Sequence, residues 1–308
     1  MNLENLSCID LNQPSLEGFR KFISCWLYQS NGLNFLVDPG PLSTIPLLLE
    51  ELSRHQVETL DYILLTHIHI DHAGGTGALL KSFPQAKVIC HPQGSKHLVD
   101  PEKLWQGSQK VLGKLAEAYG EIIPVPEKKI CFETEIGATG LRSFLTPGHA
   151  QHHCCFLYDD LLFGGEVAGV HCPIDEGIYM RPATPPKFIL DIALDSIQRM
   201  IDLQPRYLII AHYGLVEPAV EYLKIGQKQL KLWVKYIAQS FDSTGEFIRD
   251  DILERLYQAD ENFARFTCLD ADIRARENYF LDNSLRGMSD FANGLSATER
   301  ELLLARLA

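Results

Sequence analysis

The chain has 308 residues, 46% hydrophobic and 22% charged, a globular balance with enough apolar side chains for a large core. Its formal net charge of −12 argues against a nucleic-acid partner, because phosphate binding needs a basic face. The N-terminal stretch MNLENLSCIDLNQPSLEGF lacks a basic segment followed by an apolar one, and no run is long enough to span a bilayer. A cytoplasmic protein without a membrane partner is therefore expected. The eight cysteines include no C-x-x-C pair and are expected as reduced thiols.

Two apolar runs, FISCWLY and LNFLVD, flank QSNG and predict a β-hairpin ending at Asp38. IPLLLEELSRH follows with helical spacing, and YILLT predicts a buried strand. After an intervening loop come a helix at GALLKSF and a strand at AKVICH closed by Pro92. Apolar positions recur at helical intervals from about Lys103 to Tyr119, and short strands are predicted at IIPV, KICF and LRSFLT. HCCFLYDD and LLFGGE read as a second hairpin turning at Asp159 and Asp160. PKFILDIALDSIQRMIDL is an amphipathic helix that feeds the strand RYLIIAH, ending at His212. Beyond Pro218 the periodicity is helical throughout: EYLKIGQKQLKLWVKYIAQSF, GEFIRDDILERLYQ, DADIRARENYFL and SATERELLLARL. The expected organisation is a mixed α/β catalytic core over residues 1–217 with a helical extension over 218–308.

The stretch LTHIHIDHAGG, residues 65–75, concentrates His67, His69, Asp71 and His72 where a strand ends. Residues two apart in extended backbone point the same way, so His67 and His69 could grip one ion while Asp71 and His72 face a second. Neutral imidazole and carboxylate suit zinc, iron(II) or manganese, and the absence of cysteine from the loop disfavours a closed structural zinc site.

This loop resembles the H-x-H-x-D-H signature of the metallo-β-lactamase-fold hydrolases, and THIHIDHAGG is most similar to their glyoxalase II and thioesterase side. The resemblance extends in order through FLVDPG, FLTPGHA and IIAHYG, roughly residues 20 to 215. It implies an αββα sandwich. It also implies that His67, His69 and His149 hold one metal, that Asp71, His72 and His212 hold the other, and that Asp38 supports the histidine loop without touching metal. One motif departs. The family's bridging aspartate sits in a GD after a short strand, whereas LLFGGEVAG places Glu166 there, and Asp159 and Asp160 lie before the strand at the turn. A glutamate has the same headgroup on an arm one methylene longer and is expected to bridge the two metals or to ligate one of them.

The resemblance implies two divalent metal ions, zinc first with iron or manganese as alternatives. The activity expected is hydrolysis of a small ester, a thioester before a lactone or phosphodiester, by water activated between the metals. Asp71 is then also expected to accept a proton as the tetrahedral intermediate collapses. His171, Tyr213 and Ser284 are candidate substrate contacts; the last rests on an expectation that NYFLDNSLRGM, residues 278–288, approaches the metals and that Ser284 and Arg286 shape specificity. His152 and His153 are expected in hydrogen-bonding roles. The expected partner is a small-molecule substrate, with a homodimer left open. Three rival readings remain. A nucleic-acid hydrolase of the same superfamily is disfavoured by the acidic charge. An oxygen-reducing di-iron flavoprotein is disfavoured by histidine at position 69. A metal-binding regulatory protein with little turnover is favoured by Glu166 alone.

Overall fold

Alternate residues of the Cys154–Leu157 run enter different cores, which is how the chain builds two stacked sheets. Cys154 and Phe156 pack between the sheets, while Cys155 and Leu157 pack beneath helices on the outer face. The same period of two recurs at Leu161–Phe163 and Tyr207–Ile210 in that sheet, and at Cys25–Tyr28 in the other. Each sheet is thus apolar on both faces and takes a helical layer outside, giving the αββα sandwich. The structure, a computed structural model, describes residues 3–30, 32–175, 177–241 and 248–308.

The first sheet runs in sequence order: β1 (Leu6–Asp10), β2 (Ser24–Ser30), β3 (Leu33–Val37), β4 (Tyr62–Leu64), β5 (Lys87–Ile89) and β6 (Ile130–Cys131). The second comprises β7 (Glu135–Ile136), β8 (Leu141–Leu145), β9 (Cys154–Tyr158) and β10 (Leu161–Phe163). A separate hairpin, β11 (Val170–Ile174) with β12 (Gly177–Arg181), precedes β13 (Tyr207–Ile210) and β14 (Gly214–Val216), which complete the second sheet in the order β14-β13-β10-β9-β8-β7. β3 and β4 are parallel, as are β10 and β13, while two antiparallel steps make β8 run the same way as β10. The loops that carry the candidate ligands therefore all leave the carboxyl ends of their strands, the edge where open α/β sheets assemble sites. A backbone hydrogen bond of 2.7 Å from Cys154 N to Thr66 O ties the two sheets together at that edge.

Both predicted hairpins form, at β2–β3 and β9–β10; Asn31 of the first turn lies outside the described residues. IIPV is not a strand. Pro124 has no N–H for a ladder, Val125 N bonds Leu98 O at 2.8 Å, and Ile122 and Val125 fill the core beneath the first sheet. Pro92 closes β5 as expected but also opens a helix, Pro92–Val99, where its missing N–H costs nothing. Strand β1 and the β11–β12 hairpin were not predicted.

The tail is helical. Its main helices are Ala219–Gln239, Arg249–Ala259, Ala271–Asn293 and Ala297–Arg306, and residues 245–247 of the predicted second helix lie outside the described residues. Leu223, Trp233, Ile237, Leu256, Leu281, Leu285 and Met288 share one core with the outer face of the second sheet. Their apolar faces are thus covered by the chain itself. Among the described residues no helix is long and apolar enough to cross a membrane.

Candidate metal centre

Glu166 occupies the middle of the site. Its Oε2 lies 3.0 Å from His149 Nε2, 3.3 Å from His67 Nε2 and 3.4 Å from His72 Nε2, and its Oε1 is 3.8 Å from His212 Nε2. One carboxylate therefore faces imidazoles of both predicted triads. On one side His149 Nε2 approaches His69 Nδ1 at 2.9 Å, with His67 completing the group. On the other, Asp71 Oδ2 lies 3.5 Å from His72 Nε2 and 3.4 Å from His212 Nε2, and the two imidazole nitrogens are 3.1 Å apart.

The longer glutamate arm is accommodated by its backbone. Glu166 N donates to His153 Nε2 at 3.1 Å, and His153 Nδ1 meets Thr146 Oγ1 at 2.8 Å. Gly165 has φ +55°, and a Cβ there would come within 2.5 Å of the same His153 nitrogen and 2.8 Å of Thr66 Cβ. The glycine is what lets this loop lie flat against the histidine. His153 thus has the hydrogen-bonding role expected of it, as does His152, whose Nε2 accepts from Ile68 N at 3.2 Å.

Asp38 fixes the histidine loop without entering the cluster's centre. Its Oδ1 accepts from Thr66 N at 2.8 Å, its Oδ2 accepts from Thr66 Oγ1 at 2.6 Å, and the same Oδ2 lies 3.3 Å from His72 Nδ1. Two further imidazoles are oriented by main-chain carbonyls. His149 Nδ1 donates to Ala183 O at 3.0 Å and His212 Nδ1 donates to Phe22 O at 2.8 Å. A proton on Nδ1 leaves a lone pair on Nε2, and in both residues Nε2 faces the cluster.

The donor set fits divalent cations. His67 Nε2 is buried and makes no hydrogen bond. Burial holds His67, His69 and His149 below the ordinary imidazole value, His69 down to about 3, so each is in the neutral, lone-pair-bearing form. Burial also disfavours the cation at His72, but Asp71, Asp38 and Glu166 outweigh it and raise that group. Asp38, Asp71 and Glu166 form a knot of acidic side chains that demands positive charge. Imidazole and carboxylate without thiolate suit zinc, iron(II) or manganese.

The three candidate substrate contacts fall elsewhere. His171 is buried with Nδ1 bound to the Tyr213 carbonyl, so it braces the chain after His212 and is not brought into the cluster. The Tyr213 phenol is raised by burial and by Cys8 and Asp10, which places it toward β1. Ser284 is buried and donates to Pro182 O at 2.8 Å, one residue from the carbonyl that holds His149. Arg286 is exposed, whereas Ser284 on the same helix is buried. Phe22 was missed because its part is played by a backbone oxygen and by a ring stacked 4.4 Å from His212.

The sequence profile of the Metallo-beta-lactamase superfamily matches residues 18–212, and the chain belongs to that superfamily. It is 34% identical over 205 residues to the Metallo-beta-lactamase fold-containing protein ST1585 of Sulfurisphaera tokodaii, covering 64% of this chain and 77% of the relative. A solved structure of ST1585 from Sulfolobus tokodaii, an archaeal metallo-beta-lactamase superfamily protein, superposes with a TM-score of 0.68 at 25% identity, covering 92% of this chain and 98% of that one. The hydroxyacylglutathione hydrolase of Salmonella paratyphi A is 28% identical over 160 residues, 51% of each chain, so the match spans about half of that enzyme. The thioesterase pkgB of Emericella nidulans is 37% identical over 117 residues, 37% of this chain and 26% of that one.

Proposed function

We propose that the protein is a dinuclear metal-dependent hydrolase of a small thioester, with a lactone or phosphodiester as the next substrate classes. The observation that carries this reading is the position of Glu166, whose carboxylate lies within 3.4 Å of His67, His72 and His149 at once. His67, His69, His149 and Glu166 would hold one ion; Asp71, His72, His212 and Glu166 would hold the second. Zinc is the first expectation, with iron or manganese as alternatives. When bound, the ions supply the acidity that makes water a nucleophile near neutral pH and draw charge from the carbonyl oxygen under attack.

The chain's own groups do the rest. Imidazoles and carboxylates make up the metal-capable groups, and no serine is among them. Asp71 is the most open of the acidic groups, its side chain 17% exposed against 6% for Glu166. Burial opposes ionisation of Asp71, but His72 and His212 hold it below its ordinary value, so it enters the reaction as a carboxylate able to receive a proton. Beside His149 and Glu166 lies a small recess walled by Pro182, Phe188, Ala193 and Leu230, with room for about one water. The names of the hydroxyacylglutathione hydrolase and thioesterase relatives support the thioester preference.

A panel of hydroxyacyl-thioesters, lactones and phosphodiesters, each assayed with and without chelator, tests the assignment. Chelator-sensitive hydrolysis is expected, with kcat/KM for the best thioester roughly tenfold or more above the other classes. Faster turnover of a lactone or phosphodiester would move the substrate class, and turnover indifferent to chelation would remove the metal from the reaction.

A further inference from the structure

We infer that the tail helix Ala271–Asn293 positions one imidazole of each metal group, His149 on one side and His212 on the other, and so couples the tail to both ions. This rests on the dinuclear reading above. The two histidines share a design: each donates Nδ1–H to a main-chain carbonyl and turns Nε2 inward. The segments that carry those carbonyls are both held by this helix.

The first arm runs to His149. Ser284 Oγ donates to Pro182 O at 2.8 Å, and Thr184 Oγ1 donates back to Ser284 O at 2.9 Å, clamping the segment on either side of Ala183. Contact is close enough that a Cβ on Gly287 would lie 1.8 Å from Thr184 O, so only glycine lets the helix sit here. The second arm runs to His212. Arg276 lies over Phe22, its Cζ 4.1 Å from the ring centroid, and its Nη1 donates to Gly18 O at 2.6 Å. Phe280, one turn on, stacks on the same ring at 5.3 Å, and Phe22 in turn stacks on His212 at 4.4 Å.

Glu277 joins the arms. Its Oε1 accepts from Arg276 Nε at 3.0 Å and Nη2 at 2.9 Å, and its Oε2 accepts from Arg181 Nε at 2.7 Å, immediately before Pro182. All three side chains are buried, Glu277 completely. Loss of either arm frees a carbonyl to drift and with it the imidazole whose tautomer it sets. Arg276, Thr184 and Ser284 are positioning residues: none belongs to the metal-capable groups.

The test uses the full chain stripped of metal and titrated with cobalt(II), whose ligand-field absorption reports each site, alongside thermal denaturation of the metal-free forms. Arg276→Met leaves Glu277 paired with Arg181 and is expected to fold. It should weaken one cobalt equivalent by roughly 10- to 100-fold and alter its spectrum, with the other retained. Thr184→Val with Ser284→Ala should weaken the complementary equivalent to a similar degree. Arg276→Lys, which keeps a cation over Phe22 but not the forked donors, should recover part of the first loss. Arg286→Ala, on the exposed face of the same helix, should bind as wild type. Folded variants that bind both equivalents with wild-type affinity and spectra overturn the inference alone. A wild-type chain that binds no cobalt overturns the metal reading and the inference with it.

Discussion

Glu166→Ala is expected to lose one metal equivalent and to lower kcat on the best thioester by roughly 100-fold or more. The substitution removes the one carboxylate that faces His67, His72, His149 and His212 together. What remains on the second side is Asp71, His72 and His212, a thinner and less negative donor set. Burial opposes ionisation of Glu166, and the surrounding imidazoles, His149 and His212 foremost, hold it well below its ordinary value. Its negative charge is therefore built into the site and alanine leaves that charge unreplaced. Glu166→Asp is the sharper comparison. The backbone at this position is pinned by His153 and by the left-handed Gly165, so it cannot advance to make up for a shorter arm. An aspartate carboxylate would fall about one methylene short, and activity between those of wild type and alanine is expected, with altered occupancy of the two sites. Metal analysis and steady-state kinetics on the same preparations check this. Full occupancy and full turnover in the alanine variant would mean that Glu166 bridges nothing.

Glu277→Gln should be among the most destabilising single changes in the chain, costing about 3–5 kcal/mol. The reason is an imbalance of charge. Arg181 and Arg276 are buried around this single carboxylate, so removing its charge leaves two guanidinium groups without their partner. Arg276→Met removes a cation instead and leaves a balanced pair, so it should cost markedly less. Denaturant unfolding of the two variants measures the difference, and equal stabilities would contradict the account. Acid should act in the same direction as the glutamine. Burial works against the Glu277 carboxylate, yet Arg181 and Arg276 hold it below its ordinary value of 4.5. Its stabilisation is therefore complete above pH 4.5 and is lost as pH falls through the lower folded value.

The loop of His67, His69, Asp71 and His72 was legible because it follows an apolar strand, and Asp38, His149, Glu166 and His212 were legible through the resemblance of the motifs around them, each of which also lies just beyond a strand. Asp38 comes directly after Val37, His212 two residues after Ile210, and Glu166 three after Phe163. A strand end is a local event and a sequence records it. The supports around the cluster were not legible, for two reasons. Ala183 and Phe22 orient imidazoles through backbone oxygens, which leave no mark on residue type. Arg276 reaches Gly18 across a sequence separation of 258, and nothing near either residue announces the contact. Glu277, Leu281, Ser284, Leu285 and Met288 recur at helical spacing and are buried, whereas Arg286 falls off that stripe and is exposed. Helix phase alone separates Ser284 from Arg286. His171 shows the opposite limit: its place near Glu166 in sequence suggests a pocket contact, whereas the structure holds its Nδ1 on the Tyr213 carbonyl.

The measurement that bears most directly on the central claim is stepwise zinc reconstitution of the metal-free chain, with hydrolysis of the best thioester followed at each addition. The dinuclear reading predicts no turnover without metal, tight uptake of two equivalents, full activity only when the second is in place, and complete reversal by chelator. Turnover undiminished in metal-free protein, or a folded chain that takes up no zinc, iron or manganese, would contradict it.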